Sequence, residues 1–288
     1  MDIMPSVKLL CYAKINLALA VTGKLADGFH SLTMLNASVS VSDSVTVRPR
    51  RDEVITCRMD GKLSEHNSAA SACALFMAEY GAAGADIEIQ KGIPFSAGLG
   101  GSSADAAAVL CALAKIYGRE DGPALSRLAL RAGSDVPYMM RGGFALASGR
   151  GEELEFFSGK PLNLVVLKSG GVSTKAAYAE FAKAPKYGKL DPDLLRRAAE
   201  TGDAAAHFGI CFNSFLPYSQ KLCPAIGENL ELLKGAGARR AGMTGSGSAV
   251  FGIFENAREA ARAAQSLSGK AEYCAHLRTV SKGIVFQE

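Results

Sequence analysis

The first fifth of the chain alternates between apolar and polar residues, a pattern typical of half-buried β-strands. It predicts five short strands separated by polar turns, at residues 7–13, 17–21, 35–41, 44–47 and 54–57. The chain is therefore expected to begin with a β-rich region.

Two helices in different surroundings are predicted next. The first covers residues 67–80, with Asn67 as its N-cap and Gly81 at its C-terminal end. A strand at residues 85–89 and a glycine-rich turn lead into the second helix, at residues 102–117. This helix is apolar on nearly every side after its first turn, so we expect it to be buried all round in the middle of the fold.

The pattern changes near Ser158, where we place a domain boundary. Before it lie a short helix at 125–131 and a hairpin at 143–157; after it lie strands at 162–167, 239–243, 249–254 and 274–280 and a helix at 257–267. The later alternation is typical of a ferredoxin-like unit. We therefore predict an α+β fold of two domains. Residues 1–158 form a β-rich N-terminal domain around the buried helix, and residues 159–288 form a ferredoxin-like C-terminal domain.

Composition and charge argue against a membrane protein, a secreted protein and a nucleic-acid-binding protein. With 288 residues, 48% of them hydrophobic, the chain has enough apolar surface for a full core. No apolar stretch approaches the ~18 residues of a membrane span, and the N-terminal segment lacks the pattern of a secretory signal, so we expect a cytoplasmic protein without membrane contact. The net charge of +4 includes no basic block typical of nucleic-acid binding, but it is compatible with a small anionic ligand.

Cysteine and histidine spacing argues against a transition metal held by the protein itself. The seven cysteines are scattered and never spaced as CxxC, and the four histidines show no HExxH spacing. Neither a disulfide framework nor a zinc site is therefore expected.

A glycine-rich segment at residues 94–105 is the strongest sign of chemistry. Gly98, Gly100 and Gly101 permit positive φ, so successive amide N–H groups can face one concavity. The helix behind adds its unpaired N–H groups and the positive end of its dipole, a combination that binds phosphate. The segment contains neither a Walker A nor a GxGxxG motif, so taken alone it predicts either a phosphate site or an ordinary glycine turn.

Two charged residues can each be interpreted as structural or as functional. Lys14 lies among apolar strand residues, where a lysine either extends its ammonium to solvent or stabilises a phosphate. Asp135 lies in a short polar turn, where an aspartate either closes the turn or serves a reaction centre. The turn at residues 27–30 and the glycine-serine loop at 243–251 also fit either a structural or a ligand-binding role.

These segments in their order resemble the GHMP small-molecule kinase superfamily. The resemblance is carried by AKINL at 13–17, DGFH at 27–30, PFSAGLGGSSADAA at 94–107, GSDVP at 133–137 and MTGSGSAVF at 243–251. Together with GRGE at 149–152, the first, second and fourth motifs are similar to the branch that phosphorylates a cytidyl diphosphate derivative of methylerythritol in the non-mevalonate route to isoprenoid precursors.

The resemblance implies an ATP-dependent kinase with Mg²⁺ that phosphorylates an alcohol group of a small molecule. It implies that ATP is bound by Pro94, Ala97, Gly98, Leu99, Gly100, Gly101, Ser102 and Ser103. Lys14 and Asp135 would be the catalytic residues at the transferred phosphoryl group, and Ser103 is a candidate magnesium ligand. The substrate side would be formed by Asn16, Phe29, His30, Tyr178 and Thr244, with His30 at the cytosine edge and the two aromatic rings against its faces.

The chain departs from the family pattern at three positions. Phe29 replaces a tyrosine, Ser102 replaces a frequent glycine, and Ser134 replaces the usual alanine.

Two other functions share part of the pattern: a kinase of the same superfamily acting on mevalonate, a phosphorylated mevalonate or homoserine, and a non-catalytic nucleotide-binding protein. DGFH argues against the first, and the presence of both Lys14 and Asp135 argues against the second. A nicotinamide-dependent oxidoreductase is discounted because the loop lies mid-chain without the GxGxxG spacing.

Overall fold

The computed structural model describes residues 5–26, 28–64, 67–120, 122–203 and 210–287. Within these ranges the strands are β1 (Val7–Lys24), β2 (His30–Pro49), β3 (Thr56–Met59), β4 (Lys62–Leu63), β5 (Ala85–Gln90), β6 (Phe144–Ser148), β7 (Glu153–Phe157), β8 (Asn163–Lys168), β9 (Arg240–Met243), β10 (Val250–Phe254), β11 (Tyr273–Val280) and β12 (Ile284–Gln287). The helices in the same ranges are α1 (Ser68–Tyr80), α2 (Gly101–Tyr117), α3 (Pro123–Ala132), α4 (Val136–Arg141), α5 (Thr174–Lys183), α6 (Pro192–Thr201), α7 (Leu216–Leu222), α8 (Ala225–Gly235) and α9 (Ala257–Leu267).

The two longest strands, β1 and β2, form an antiparallel hairpin where the sequence predicted four short strands. The predicted breaks are wrong because the pairing continues through shifts of register after Tyr12 and Asn16. Such bulges take up extra residues and re-aim side chains without ending a strand. The AKIN motif therefore lies inside β1 rather than in a turn between strands.

Helix α2 occupies the middle of the N-terminal half. It packs against α1, α4, β1 and β2, and its residues from Ala104 to Ala114 are buried except for Cys111. The prediction of a central buried helix is therefore confirmed. The capping of α1 is confirmed as well, since the Asn67 side chain accepts a hydrogen bond from the Ala70 N–H and Gly81 ends the helix with φ 63°.

The C-terminal half contains an antiparallel sheet in the order β9-β10-β8-β11. Helices α5 to α8 connect β8 to β9, and α9 connects β10 to β11. This βαββαβ connectivity confirms the predicted ferredoxin-like unit and, with the β-rich first half, the α+β class.

The two halves are joined by shared strands. β11 pairs with β2 through Thr279 and Val280, and β12 returns to pair with β1. Both buried apolar clusters contain residues from either side of Ser158; the second, for example, includes Leu19 and Val165. The division near Ser158 stays a prediction. Across the described ranges, no helix combines the length and the apolar character needed to cross a membrane.

Candidate active site

A cavity of about 930 Å³ lies where β1, the glycine loop before α2, the start of α4 and the start of α5 meet. It is lined by most of the residues that the sequence indicated: Lys14, Asn16, Phe29, His30, Pro94, Ala97, Gly98, Leu99, Gly100, Gly101, Ser102, Ser103, Asp135 and Tyr178. Thr244 is not part of this lining, although its neighbour Gly245 is. Asp27 of the DGFH motif lies outside the described residues.

The glycine loop presents the N-terminus of α2 to the cavity. Gly98 and Gly100 both have φ 74°, and α2 begins directly after Gly100. No side chain within the described ranges caps this helix end, and Ser102 is exposed while Gly101 and Ser103 are half-buried. The first-turn N–H groups have no partner within the helix, so this end of the cavity can bind an anion such as phosphate.

The loop at 243–251 packs directly on the glycine loop. The Ala249 N–H donates to the Ala97 carbonyl at 3.1 Å, and a Cβ on Gly98 would lie 2.4 Å from the carbonyl oxygen of Thr244. The Thr244 hydroxyl is fully buried; it accepts from the Asn16 N–H at 3.0 Å and donates to the Gly98 carbonyl at 3.1 Å. Thr244 thus ties β1 to the glycine loop.

Lys14 and Asp135 meet in the lining of the cavity. The Lys14 ammonium lies 3.3 Å from the Asp135 carboxylate, and the two side chains are 6% and 31% exposed. The ammonium also donates to Asn16 Oδ1 at 2.8 Å, and the Lys14 N–H donates to the Leu99 carbonyl in the glycine loop at 3.0 Å. Strand β1 therefore places Lys14 beside the glycine loop. Asp135, the residue directly before α4, contacts Lys14 there.

The other end of the cavity is aromatic. His30 and Tyr178 lie with ring centroids 5.2 Å apart, and Tyr178 packs edge-on against Phe215 at 4.6 Å. Burial and then the charge of Lys24 lower the pKa of His30 from its ordinary value, which favours the neutral imidazole. Phe29 lies at the mouth with its side chain 56% exposed, and the Arg150 guanidinium lies 4.2 Å from its ring centroid.

Beneath the glycine loop lies a buried charge cluster that sequence reasoning missed. The Lys91 ammonium contacts the carboxylates of Asp43 and Asp105, and the three side chains are 7%, 0% and 4% exposed. Asp43 also accepts from the backbone N–H groups of Gly92 and Ile93. Asp105 stands in the motif at residues 94–107, but nothing in the sequence links it to Asp43. The pairing of β2 with β5 places Asp43 next to Lys91.

Burial and the Lys91 ammonium have opposite effects on the pKa of Asp105 in this cluster. Burial raises the pKa of Asp105 to about 7, although Lys91 acts in the opposite direction. With Cys11, the two carboxylates lie close enough together to hold a metal ion. Lys91, however, already supplies the positive charge between them, so we assign the cluster to the support of the loop.

Two family models match the chain. The model described as the GHMP kinases N terminal domain matches residues 67–143, and the one described as GHMP kinases C terminal matches residues 191–272. The first match covers the glycine loop, α2 and Asp135; the second covers the loop that packs on them.

Similar full-length proteins narrow the family. A 4-diphosphocytidyl-2-C-methyl-D-erythritol kinase of Pelotomaculum thermopropionicum is 41% identical over 88% of this chain and 91% of its own length. One of Desulfitobacterium hafniense is 39% identical over 90% of each chain.

Solved structures agree with this grouping. A crystal structure of 4-(cytidine 5'-diphospho)-2C-methyl-D-erythritol kinase is 32% identical with a TM-score of 0.79, over 95% of this chain and 99% of that chain. A homoserine kinase from Cytophaga hutchinsonii shares the fold with a TM-score of 0.75 at 18% identity, over 100% of this chain and 99% of that chain. From the matched domains and these relatives, the chain belongs to the 4-diphosphocytidyl-2-C-methyl-D-erythritol kinase family within the GHMP kinases and is an ATP-dependent small-molecule kinase.

Proposed function

We propose that the protein transfers the γ-phosphoryl group of ATP to the hydroxyl on carbon 2 of 4-diphosphocytidyl-2-C-methyl-D-erythritol, giving the 2-phosphate and ADP in the non-mevalonate route to isoprenoid precursors. One observation carries this proposal: the Lys14–Asp135 pair stands in a single cavity with the glycine loop and an aromatic end. The relatives named for this reaction supply the identity of the alcohol.

The glycine loop is the proposed ATP end. Its first-turn amides and the dipole of α2 favour the charge of the phosphates. The loop is held in place by the backbone contact of Gly98 with Thr244, so its amides are positioned before the nucleotide arrives.

Magnesium fits this end mainly through the nucleotide. The two buried carboxylates near the loop already contact Lys91. The partly exposed Ser103 hydroxyl, which lines the cavity, is the proposed ligand on the loop. We propose that phosphate oxygens and water supply most of the coordination. The bound ion would offset charge on the β- and γ-phosphates.

Asp135 and Lys14 have separate roles in the transfer. Phosphoryl transfer passes through a loose transition state, so positioning and charge compensation dominate catalysis. The Asp135 carboxylate accepts a hydrogen bond from the attacking hydroxyl, orients it, and takes its proton late in the step. The Lys14 ammonium pairs with this carboxylate and offsets the charge of the transferred group.

The aromatic end is the proposed cytidyl site. A neutral imidazole offers one donor and one acceptor, which suits the amino group and ring nitrogen on the cytosine edge. Phe29 and Tyr178 provide ring faces for the base. Phe29 keeps the π face of the family's tyrosine and loses only the hydroxyl.

Asn16 and Thr244 serve the substrate indirectly in this proposal. Asn16 lines the cavity, but its side-chain oxygen contacts Lys14 and Gly245. Thr244 holds Asn16 and Gly98. Both residues thereby fix the position of groups that touch the substrates.

The test is ADP release from the purified protein with ATP and magnesium, with 4-diphosphocytidyl-2-C-methyl-D-erythritol, mevalonate and homoserine offered in parallel. We expect turnover with the cytidyl alcohol alone, and its loss in Asp135→Asn. Equal or faster turnover with mevalonate or homoserine would assign the chain another alcohol, and ATP binding without turnover on any of them would make it a non-catalytic nucleotide-binding protein.

A further inference from the structure

A second buried amide stands behind the catalytic lysine. Asn36 on β2 is directly opposite Asn16 on β1 in the antiparallel register, and both residues are 1% exposed. Asn16 Nδ2 donates to Asn36 Oδ1 at 2.7 Å. The pair lies at the bulge that follows Asn16.

The contacts of Asn16 allow one orientation of its amide. Its Oδ1 accepts from the Lys14 ammonium at 2.8 Å and from the Gly245 N–H at 2.9 Å. A flipped amide would set its NH₂ group against these two donors and turn its oxygen toward the Asn36 oxygen. The Gly245 N–H and the Asn36 acceptor therefore act together: the first holds the Asn16 oxygen and the second holds its NH₂ group, in the orientation in which Asn16 receives Lys14.

This selection matters because a lysine side chain is flexible. An ammonium has three donors on a long stem and no intrinsic direction. Here one donor contacts Asn16 and another faces Asp135. The third is then aimed by the first two, toward the cavity that Lys14 lines.

We propose that Asn36 is a positioning residue for the phosphoryl transfer: through the Asn16 amide it fixes the Lys14 ammonium between Asp135 and the transferred group. This inference rests on the proposed function for its role in turnover. Its structural part, the control of Lys14 by Asn36, stands on the hydrogen bonds alone.

The test compares three variants of buried asparagines. Asn36→Leu removes the acceptor at similar volume, and Asn36→Asp keeps it. Asn229→Leu is the control, because Asn229 is 2% exposed and donates to Ser169 in another part of the molecule. We expect kcat to fall about 10- to 100-fold in Asn36→Leu, since small misplacements of catalytic groups cost this much, while the KM for ATP changes little. Asn36→Asp should recover most of the loss, and Asn229→Leu should lower stability without lowering the kcat of the folded protein.

A double-mutant cycle separates positioning from packing. If Asn36 acts through Lys14, Asn36→Leu has no further effect on the residual turnover of Lys14→Ala. An equal fractional loss of kcat in the wild-type and Lys14→Ala backgrounds would overturn the proposal, as would an unchanged kcat in Asn36→Leu.

Lysine side-chain NMR gives a readout that needs no turnover. The Lys14 signal is assigned as the one missing from Lys14→Ala. We expect it to shift in Asn36→Leu and to stay in place in Asn229→Leu; an unmoved signal in Asn36→Leu would overturn the proposal even if the protein phosphorylates a different alcohol. Absence of turnover in the wild type, together with a shifted signal, would contradict the proposed function and leave the positioning of Lys14 supported.

Discussion

Lys14 and Asp135 have unequal access to the cavity, and this difference suits their proposed roles. The Lys14 side chain is nearly buried and is held by Asn16, while the Asp135 side chain is about one-third exposed. A side chain held by Asn16 is confined to one position, and an accessible carboxylate can meet an incoming hydroxyl. In the proposed mechanism the pair therefore divides charge compensation and orientation between two residues that touch each other.

Replacing Asp135 by Asn tests the orienting carboxylate. The amide keeps the shape but loses the negative charge that accepts the hydroxyl proton. We expect kcat to fall by about 100-fold or more, with the ATP dissociation constant unchanged, as measured by steady-state kinetics and nucleotide titration. A variant that keeps wild-type kcat would remove Asp135 from the reaction.

The lowered pKa of His30 predicts a pH dependence of cytidyl binding. The group is neutral above its lowered pKa and gains a proton as the pH falls through it, losing its acceptor nitrogen. We expect the dissociation constant of cytidine monophosphate to be steady from pH ~8 to below the ordinary histidine pKa of ~6.5, and to rise at lower pH. A flat profile is expected for His30→Gln, and the same rise in that variant would exclude His30 as its source.

The site depends on the backbone packing of two loops, the glycine loop before α2 and the loop before β10. The glycine loop contacts the loop before β10 where a side chain at Gly98 would overlap the Thr244 carbonyl. Glycine is required there both for positive φ and for space. The position of the glycine loop therefore depends on both loops.

Gly98→Ala tests this packing, with Gly118→Ala as the control. Gly118, at the end of α2, has φ 62° but nothing within 4 Å of an added Cβ. Both changes carry a similar backbone cost of about 1–2 kcal/mol. We expect only Gly98→Ala to raise the KM for ATP clearly; the same KM in both variants would show that the loops tolerate separation.

Lys91→Met tests the charge cluster under the glycine loop. The change leaves two buried carboxylates without their cation, and loss of one partner of a buried ion pair costs about 3–5 kcal/mol. Denaturant unfolding should show that the free energy of unfolding falls by this amount. A loss below about 1 kcal/mol, typical of surface pairs, would contradict the buried cluster.

Asp105 adds a pH dependence with a defined sign. Its pKa is raised by burial to about 7 in the folded protein, so the folded state binds the proton more tightly than the unfolded chain does. The free energy of unfolding is therefore expected to fall as the pH rises from about 4 to about 7. The slope should be smaller in Asp105→Asn; an equal slope would place the titrating group elsewhere.

Across the whole molecule, local patterns predicted the elements better than their pairing. The buried helix α2, the capping of α1 and the ferredoxin-like unit were all readable because apolar periodicity and turn residues act locally. The unbroken β1–β2 hairpin was not, because bulges depend on which residues face each other across strands.

The candidate site follows the same rule. Lys14, Asp135 and the glycine loop stand in recognisable motifs, and the structure brings them into one cavity. The pairs Asp43 with Lys91 and Asn16 with Asn36 lie far apart in sequence and become neighbours only through strand register. No motif spacing predicts such contacts.

Phosphorus NMR of the product shows which hydroxyl of the cytidyl alcohol receives the phosphate. Carbon 2 of this alcohol carries the methyl group and no hydrogen, so a phosphate there has no proton on its own carbon to split its signal. We expect one new unsplit phosphomonoester signal, with the diphosphate of the substrate intact and ADP formed in equal amount. A signal split by neighbouring protons would place the phosphate on another hydroxyl, and ADP without a phosphomonoester would show that ATP is hydrolysed rather than used to phosphorylate the alcohol.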